Sequence, residues 1–315
     1  MTCLKPFSYL ISMSLLAAIL VFPATVMADE EEEEDWGEWG DEYAAYLSDE
    51  PPTFDDNMPV VDTFNESVLI TSQTIEQLGH KRWGFNIQHR MGELGSDSSN
   101  LFGIYAPANI RLALKFGIHD RVQLGVGSTK MGTQQDLNAK VILLRQTTPG
   151  GMPVSLSYYG QTTMRAGPSE NFDKFSHRFG YLHELMVARK FHERLSLQAT
   201  ASFTHFNLVN RQNGYRHDNL ALTLIGRVGL TSRMALVFEM GQGQLLSWAY
   251  PSEAAARSKP LLGLGAEMLT TGHAFQVFLS STIGILRNDI YVYNPHSLTD
   301  GTVFLGFNMT RDYRL

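Results

Sequence analysis

The stretch from Asn109 to Lys130, NIRLALKFGIHDRVQLGVGSTK, decides the fold. Apolar side chains alternate with small, polar or charged ones in both of its halves, which is the period of a β-strand. The dipeptide His119-Asp120 between the halves is short enough only for a hairpin turn. The apolar face is nearly unbroken, whereas the opposite face contains Arg111 and Lys115. This pattern is typical of a membrane β-barrel, whose apolar face contacts lipid and whose polar face lines the interior.

Residues 1 to 28 are predicted to form a secretory signal peptide. Lys5 supplies the positive charge, an apolar run extends from Leu10 to Phe22, and small side chains precede an expected cleavage site after Ala28. A retained membrane helix is the competing interpretation, but the run is shorter than the ~20 apolar residues that a span requires. Cys3 is the single cysteine, so we expect no thiol, disulfide or cysteine metal site in the mature chain.

Residues 29 to 66 are predicted to be a disordered, acidic periplasmic tail. This segment contains 16 acidic residues and no basic one, although the net charge of the whole chain is only −7. Its apolar content is too low for it to fold alone, and a solvated tail is the simpler interpretation. The alternative is a docking motif for a basic periplasmic protein, or for the barrel's own lumen, built on four aromatic residues: Trp36, Trp39, Tyr43 and Tyr46.

Residues 67 to 315 are predicted to form an all-β, antiparallel, up-and-down transmembrane barrel of about 12 strands. An even number is the rule for single-chain outer-membrane barrels. A soluble β-sandwich or a lipocalin-like barrel is the alternative, and the inverted faces argue against it. The expected strands lie near 81–90, 109–118, 121–130, 136–145, 153–163, 179–191, 194–204, 218–230, 233–242, 260–270, 273–283 and 302–312.

The connections between these strands alternate between short and long. Barrels of this kind have short periplasmic turns and longer outer loops, so both termini are expected in the periplasm of a bacterium. The segment before the first strand, Ser67 to His80, mixes apolar and polar residues. It is interpreted as a short strand or a helical turn that leads into the barrel.

The first strand and two turns resemble a known family. The phrase SQTIEQLGHKRWGFNIQHRMGEL, from Ser72 to Leu94, is similar to the entry motif of an uncharacterised outer-membrane β-barrel family known from Bacteroidota, with Met91 where that family has an aromatic residue. The turns Asp120-Arg121 and Glu193-Arg194 look like the same family, over about residues 67–315. The resemblance implies the fold and the membrane location, and it leaves the function open.

Charged residues on the inward face are the candidate functional groups. The first four strands supply basic residues and the ninth and tenth supply acidic ones, so a basic wall is expected to face an acidic wall. Such a field would select solutes in a narrow pore. The alternative is that these ions pair with each other and fill the lumen. The lumen candidates are Arg90, Arg111, Lys115, Lys140, Glu184, Arg227, Glu239 and Glu267.

Catalysis and cofactors find little support in the sequence. A hydrolase of the outer-membrane phospholipase type also has twelve strands, but it needs a serine with a histidine base. His296-Ser297 are loop neighbours, which does not present a base to a nucleophile, and Ser202 and His205 have opposite parity on one strand. The ten histidines are scattered, so no metal or cofactor is expected. The basic excess is too dispersed to predict nucleic-acid binding.

The leading prediction is therefore a porin-like channel or facilitator for small solutes in the bacterial outer membrane, embedded in its lipid bilayer. The second is a non-conducting structural barrel whose acidic tail, residues 29–66, recruits a periplasmic protein. An outer-membrane hydrolase is third. The chain is predicted not to be an enzyme.

Overall fold

The computed structural model describes residues 58–94, 103, 105–147, 151–246 and 258–314. The signal peptide expected at residues 1–28, and the aromatic residues of the expected docking motif, lie outside the described residues. Within these ranges, no helix has both the length and the apolar character needed to cross a membrane.

Twelve long strands form one closed antiparallel barrel. Consecutive strands of the chain pair with each other, and the last strand pairs with the first to close the ring. The predicted strand number and up-and-down order are confirmed. The strands are β3 (Arg82–Glu93), β4 (Asn109–His119), β5 (Val122–Thr129), β6 (Gln134–Leu144), β7 (Ser155–Arg165), β8 (Phe179–His192), β9 (Leu195–Phe206), β10 (Asp218–Gly229), β11 (Met234–Gln242), β12 (Leu261–Leu269), β13 (Ala274–Ser280) and β14 (Phe304–Arg314).

The remaining described elements are short. A two-residue strand pair, β1 (Val68–Leu69) and β2 (Ser72–Gln73), precedes the barrel. One α-helix, α1 (Arg287–Tyr293), lies in the connection between β13 and β14. Single 3-10 turns cover Met131–Thr133, Ser169–Asn171, Phe175–Arg178, Arg211–Asn213 and Leu298–Asp300.

The barrel wall has the inverted faces that the sequence predicted. On β4 the side chains of Arg111 and Lys115 are buried, whereas Leu112 is 46% and Leu114 is 37% exposed. Apolar side chains cover the outside of other strands in the same way, for example Leu222 on β10 and Leu264 on β12. Such an apolar outer surface is stable in contact with lipid hydrocarbon, and the closed ring leaves no strand edge without hydrogen-bond partners.

The two ends of the barrel differ in their connections. The "turn end" carries short connections such as Asp120-Arg121, and it holds the start of β3 and the end of β14. The "loop end" carries the long connections, including the one that contains α1. Because the strands run up and down in sequence order, successive connections lie alternately at the turn end and at the loop end.

The segment before β3 contains the short strands β1 and β2, which is one of the two structures expected from the sequence. Residues 63–78, here called the plug, lie inside the barrel, with Phe64, Leu69, Ile70 and Ile75 almost fully buried. The expected tail of residues 29–66 needs correction at its end, because Thr63 and Phe64 are packed in the lumen. Their backbone N–H groups donate to Glu76 Oε1 at 3.0 and 3.3 Å.

The plug enters and leaves the lumen at the turn end. Before it, Val60 N donates to Gln146 O at 2.7 Å, in the connection between β6 and β7. After it, Lys81 N donates to Gly117 O at 3.2 Å. A Cβ on Gly117 would overlap the carbonyl of Gly79, so this close approach requires glycine.

Candidate functional site

The lumen recognises the plug mainly through the plug's main chain. Lys140, on β6, is completely buried, and its Nζ donates to the carbonyl oxygens of Ser67 at 3.1 Å, Thr74 at 2.9 Å and Glu76 at 2.8 Å. An ammonium group has three donors, and here all three are used. One lysine therefore binds both the beginning and the end of the plug backbone.

The tip of the plug is held at Ile70. Its carbonyl oxygen accepts from Arg90 Nη2 at 3.0 Å and from Asn308 Nδ2 at 2.8 Å. Its N–H donates to Gln276 Oε1 at 3.1 Å, and Gln276 Nε2 donates to Val68 O at 3.0 Å. Ile70 has a φ of 55°, which is an unfavourable conformation for a β-branched residue. The surrounding hydrogen bonds offset that strain.

Glu239 binds the residues that follow the tip. Its carboxylate accepts from Thr71 N at 2.9 Å and from Thr71 Oγ1 at 2.6 Å, and it also accepts from Ser72 Oγ. Two glutamines continue this pattern toward the turn end: Gln198 accepts from Ile75 N at 2.9 Å, and Gln123 accepts from Leu78 N at 2.9 Å. Wall side chains thus satisfy the plug backbone in the way that a neighbouring strand would.

Other charged lumen residues form ion pairs. Arg111 makes a two-bond contact with Asp136, at 2.9 and 2.7 Å, and Arg227 Nε donates to Glu267 Oε1 at 3.0 Å. In each pair the partner offsets part of the cost of burying the charge.

Lys115 joins the wall to the start of the plug. Its Nζ lies 3.1 Å from Asp312 Oδ1 and 3.8 Å from Glu66 Oε2, and it donates to Ser67 Oγ at 3.1 Å. Burial raises the pKa of Glu66 to about 7, although the positive charge of Lys115 opposes this effect. The plug therefore carries a carboxyl group that titrates near neutral pH.

Helix α1 fills the lumen from the loop end. Arg287 pairs with Glu184, with Nε to Oε1 at 2.8 Å and Nη2 to Oε2 at 2.6 Å. Asn288 Nδ2 donates to Thr163 Oγ1 at 2.9 Å, and the Tyr291 hydroxyl lies 2.8 Å from Thr223 Oγ1. Arg287 Nη1 also donates to Thr71 O at 3.1 Å. The filling from the two ends therefore meets in the lumen.

All eight lumen candidates lie on the inward face and are buried, as Arg90, Lys140 and Glu239 show with 1% exposure or less. The two expected walls each contain one residue of the opposite charge. Asp136 pairs with Arg111 on the basic side, and Arg227 pairs with Glu267 on the acidic side. Asp136 has the parity of Lys140, so strand alternation alone could have identified it.

Two parts of the site were not predicted from the sequence: Arg287 of α1, and the plug. Arg287 lies in a connection, where no alternation marks it as inward. The position of the plug could not be predicted, because its hydrogen bonds come from residues far away in the sequence, such as Lys140 and Gln276.

The serine and histidine considered for catalysis lie on opposite faces of the barrel wall. Ser202 is inside the lumen, where its Oγ donates to Glu184 Oε1 at 3.1 Å. His205 pairs with Asp218 at 2.7 Å outside it. His183 is on the outer face, and its Nδ1 lies 2.5 Å from the hydroxyl oxygen of Tyr158. Within the described ranges, no three or more His, Cys, Asp or Glu residues come together as a metal site.

These features define a membrane β-barrel, with an apolar outer surface, a closed ring and an occupied polar interior. The comparison with protein families agrees: residues 64–313 match a family described as membrane bound beta barrel domain (DUF5777), and the chain belongs to that family. The resemblance noted in the first strand and turns is thereby confirmed as membership of a membrane-barrel family of unknown function.

Several solved structures are similar to this chain at low sequence identity. The COG4313 outer membrane channel from Pseudomonas putida F1 is 11% identical, with a TM-score of 0.50, over 76% of this chain and 98% of that one. The NanC porin is 6% identical, with a TM-score of 0.48, over 73% and 100% of the two chains. The KdgM porin in complex with disordered oligogalacturonate is 8% identical, with a TM-score of 0.47, over 73% and 99%. No curated protein matches the chain.

Proposed function

We propose that the protein is a bacterial outer-membrane channel for small polar solutes, and that its own N-terminal segment closes it in this conformation. In this proposal the mature chain begins at Asp29, after removal of the signal peptide. The turn end faces the periplasm, because outer-membrane barrels place their short turns there. The plug then enters the lumen from the periplasmic side.

One observation carries the proposal: the plug fills a charged lumen and is held there largely by hydrogen bonds to its main chain. If the plug leaves, Lys140 and Glu239 lose their hydrogen-bond partners in the plug, and Arg90 loses the carbonyl oxygen of Ile70. Unpaired ions in a dry cavity are very costly, so water must enter the space. Withdrawal of the plug therefore leaves a hydrated, charged space that extends from the turn end to α1, and it removes the contact of Thr71 with Arg287.

The experiment is a conductance measurement in planar bilayers on three refolded chains. The first is residues 29–315, the second lacks residues 29–57, and the third lacks residues 29–78. We expect frequent discrete openings only from the third chain, because the second retains the plug. A third chain that is folded but silent would contradict the channel proposal.

The second candidate is a non-conducting barrel that recruits a periplasmic protein through the acidic residues 29–57. The observation that favours it is the contact between the plug and α1 through Arg287 and Thr71, which closes the lumen from both ends. A silent but folded chain without the plug would favour this candidate. Binding of a periplasmic protein that disappears when residues 29–57 are deleted would support it directly.

A further inference from the structure

A cavity of about 470 Å³ opens at the loop end of the barrel, beside α1. Its volume is in the range of small-molecule sites. Arg165 and Phe206 end β7 and β9 on the inward side, so the cavity lies at the outer mouth of the lumen. Its lining residues are Arg165, Leu208, Val209, Asn210, Tyr215 and Tyr293.

Aromatic rings form one wall of this cavity. The ring of Tyr293 packs edge-on against Tyr215, with 4.8 Å between centroids, and is tilted against Phe206 at 5.4 Å. Burial raises the pKa of Tyr293 to about 12, so its hydroxyl keeps its proton and remains a hydrogen-bond donor. Aromatic faces of this kind pack well against the flat side of another ring.

Arg165 supplies the positive charge. Its guanidinium carbon lies 5.5 Å from the centroid of Phe206 and 5.8 Å from that of Tyr293, within range of cation–π attraction. The side chain is 33% exposed, and its contact with Asp289 Oδ1 is long, at 3.5 Å. By contrast, Arg111 is buried and binds Asp136 through two short bonds. Arg165 is therefore the arginine that is held loosely by its acidic neighbour and faces an open cavity.

The backbone that carries Arg165 is fixed. Arg178 Nη1 donates to the carbonyl oxygens of Arg165 at 2.9 Å and Gly167 at 2.7 Å, and the Arg178 guanidinium stacks over Phe172 at 4.4 Å. A fixed strand end reduces the entropy that a ligand must overcome when it binds.

We propose that this cavity binds a small carboxylate that carries a ring, with the carboxylate on Arg165 and the ring against Tyr293. A planar guanidinium can bind a carboxylate through two parallel hydrogen bonds, which is stronger than its single long contact with Asp289. The guanidinium has five N–H donors, of which the contact with Asp289 uses one. One part of the inference rests on the proposed function: if the protein is a channel, ring-bearing carboxylates are the class of solute that passes through it.

The test is isothermal titration calorimetry on the refolded chain, residues 29–315, in detergent. The probes are D-glucuronate and benzoate, which represent a sugar ring and an aromatic ring, with D-glucose and benzyl alcohol as their neutral counterparts. We expect at least one acid to bind, and its neutral counterpart to bind about tenfold more weakly, because a charge-assisted hydrogen bond contributes that much.

Two variants separate this site from a general charge effect. Arg165→Gln is expected to weaken binding of the acid about tenfold. Arg189→Gln is the matched control, because Arg189 also lies over an aromatic ring, Phe191 at 5.2 Å, but near the turn end. This control should bind like the parent chain. Tyr293→Leu should also weaken binding, because it removes the ring against which the ligand packs.

The proposal is overturned if neither acid binds at millimolar concentration, or if Arg165→Gln, folded as judged by circular dichroism, binds as well as Arg189→Gln. Binding is measured on the closed, full-length mature chain, so it does not depend on conductance. Binding without conductance after plug removal would retain this site and reject the channel. Conductance without binding would do the reverse.

Discussion

Arg287 Nη1 donates to the carbonyl oxygen of Thr71 at 3.1 Å, and this bond joins α1 to the tip of the plug. The same guanidinium pairs with Glu184 on the barrel wall. One side chain thus connects the loop-end filling, the turn-end filling and the wall. Since the three parts share this residue, release of the plug is expected to loosen α1 as well.

Arg287→Gln is expected to destabilise the barrel by about 3–5 kcal/mol, because it leaves Glu184 buried without its partner. The double variant Arg287→Gln, Glu184→Gln should recover much of this loss, since it removes both charges. Urea unfolding in detergent micelles measures both values. Equal midpoints for the single and the double variant would show that the ion pair is not the reason for the loss.

Lys140→Met is expected to weaken docking of the plug by about 2–4 kcal/mol, because three carbonyl oxygens lose their donor. Hydrogen exchange at the plug amides of Ile75 and Leu78 measures this change. The matched control is Lys190→Met, because Lys190 Nζ also donates to a carbonyl, that of Val61 at 3.1 Å, but from an exposed position. Faster exchange in wall strands to the same degree would point to global unfolding instead.

The stability of the plugged state is expected to fall as pH rises from 4.5 to about 7, because the pKa of Glu66 is raised from 4.5 to about 7 in the folded chain. A raised carboxyl pKa means that the folded state holds its proton more tightly, so protonation favours the plugged state. The charged groups that face Glu66 are Lys115, Asp312 and Glu267. Unfolding midpoints between pH 4.5 and 8 should show this slope, and Glu66→Gln should flatten it.

Gly117→Val is expected to displace the plug where it leaves the lumen, at a cost of about 1–3 kcal/mol. The new side chain would meet the carbonyl of Gly79. Gly272→Val is the control, because a Cβ there has no neighbour closer than 4.0 Å. Protease cleavage before residue 80 should increase in the first variant alone. Equal cleavage of the two variants would argue against a tight exit at Gly117.

The sequence predicted the wall well, because lipid outside and polar groups inside impose a period of two on every strand. Leu112 and Lys115 show this on β4, and the same parity places Asp136 beside Lys140. The plug could not be predicted this way. Its structure depends on main-chain atoms, such as Ile70 N and O, that every residue has. Helix α1 is likewise fixed by contacts from Arg287 and Asn288 to distant strands, which no local pattern encodes.

The chain enters and leaves the lumen at the same end of the barrel, beside Gln146 and Gly117. No chain terminus must be threaded through the ring, so the wall can insert and close first, with the plug docking afterwards. The last event of folding would then be the reverse of the first event of opening. A newly made barrel would then pass through the form without a docked plug, which is the open form in the proposed channel, before it reaches the plugged one.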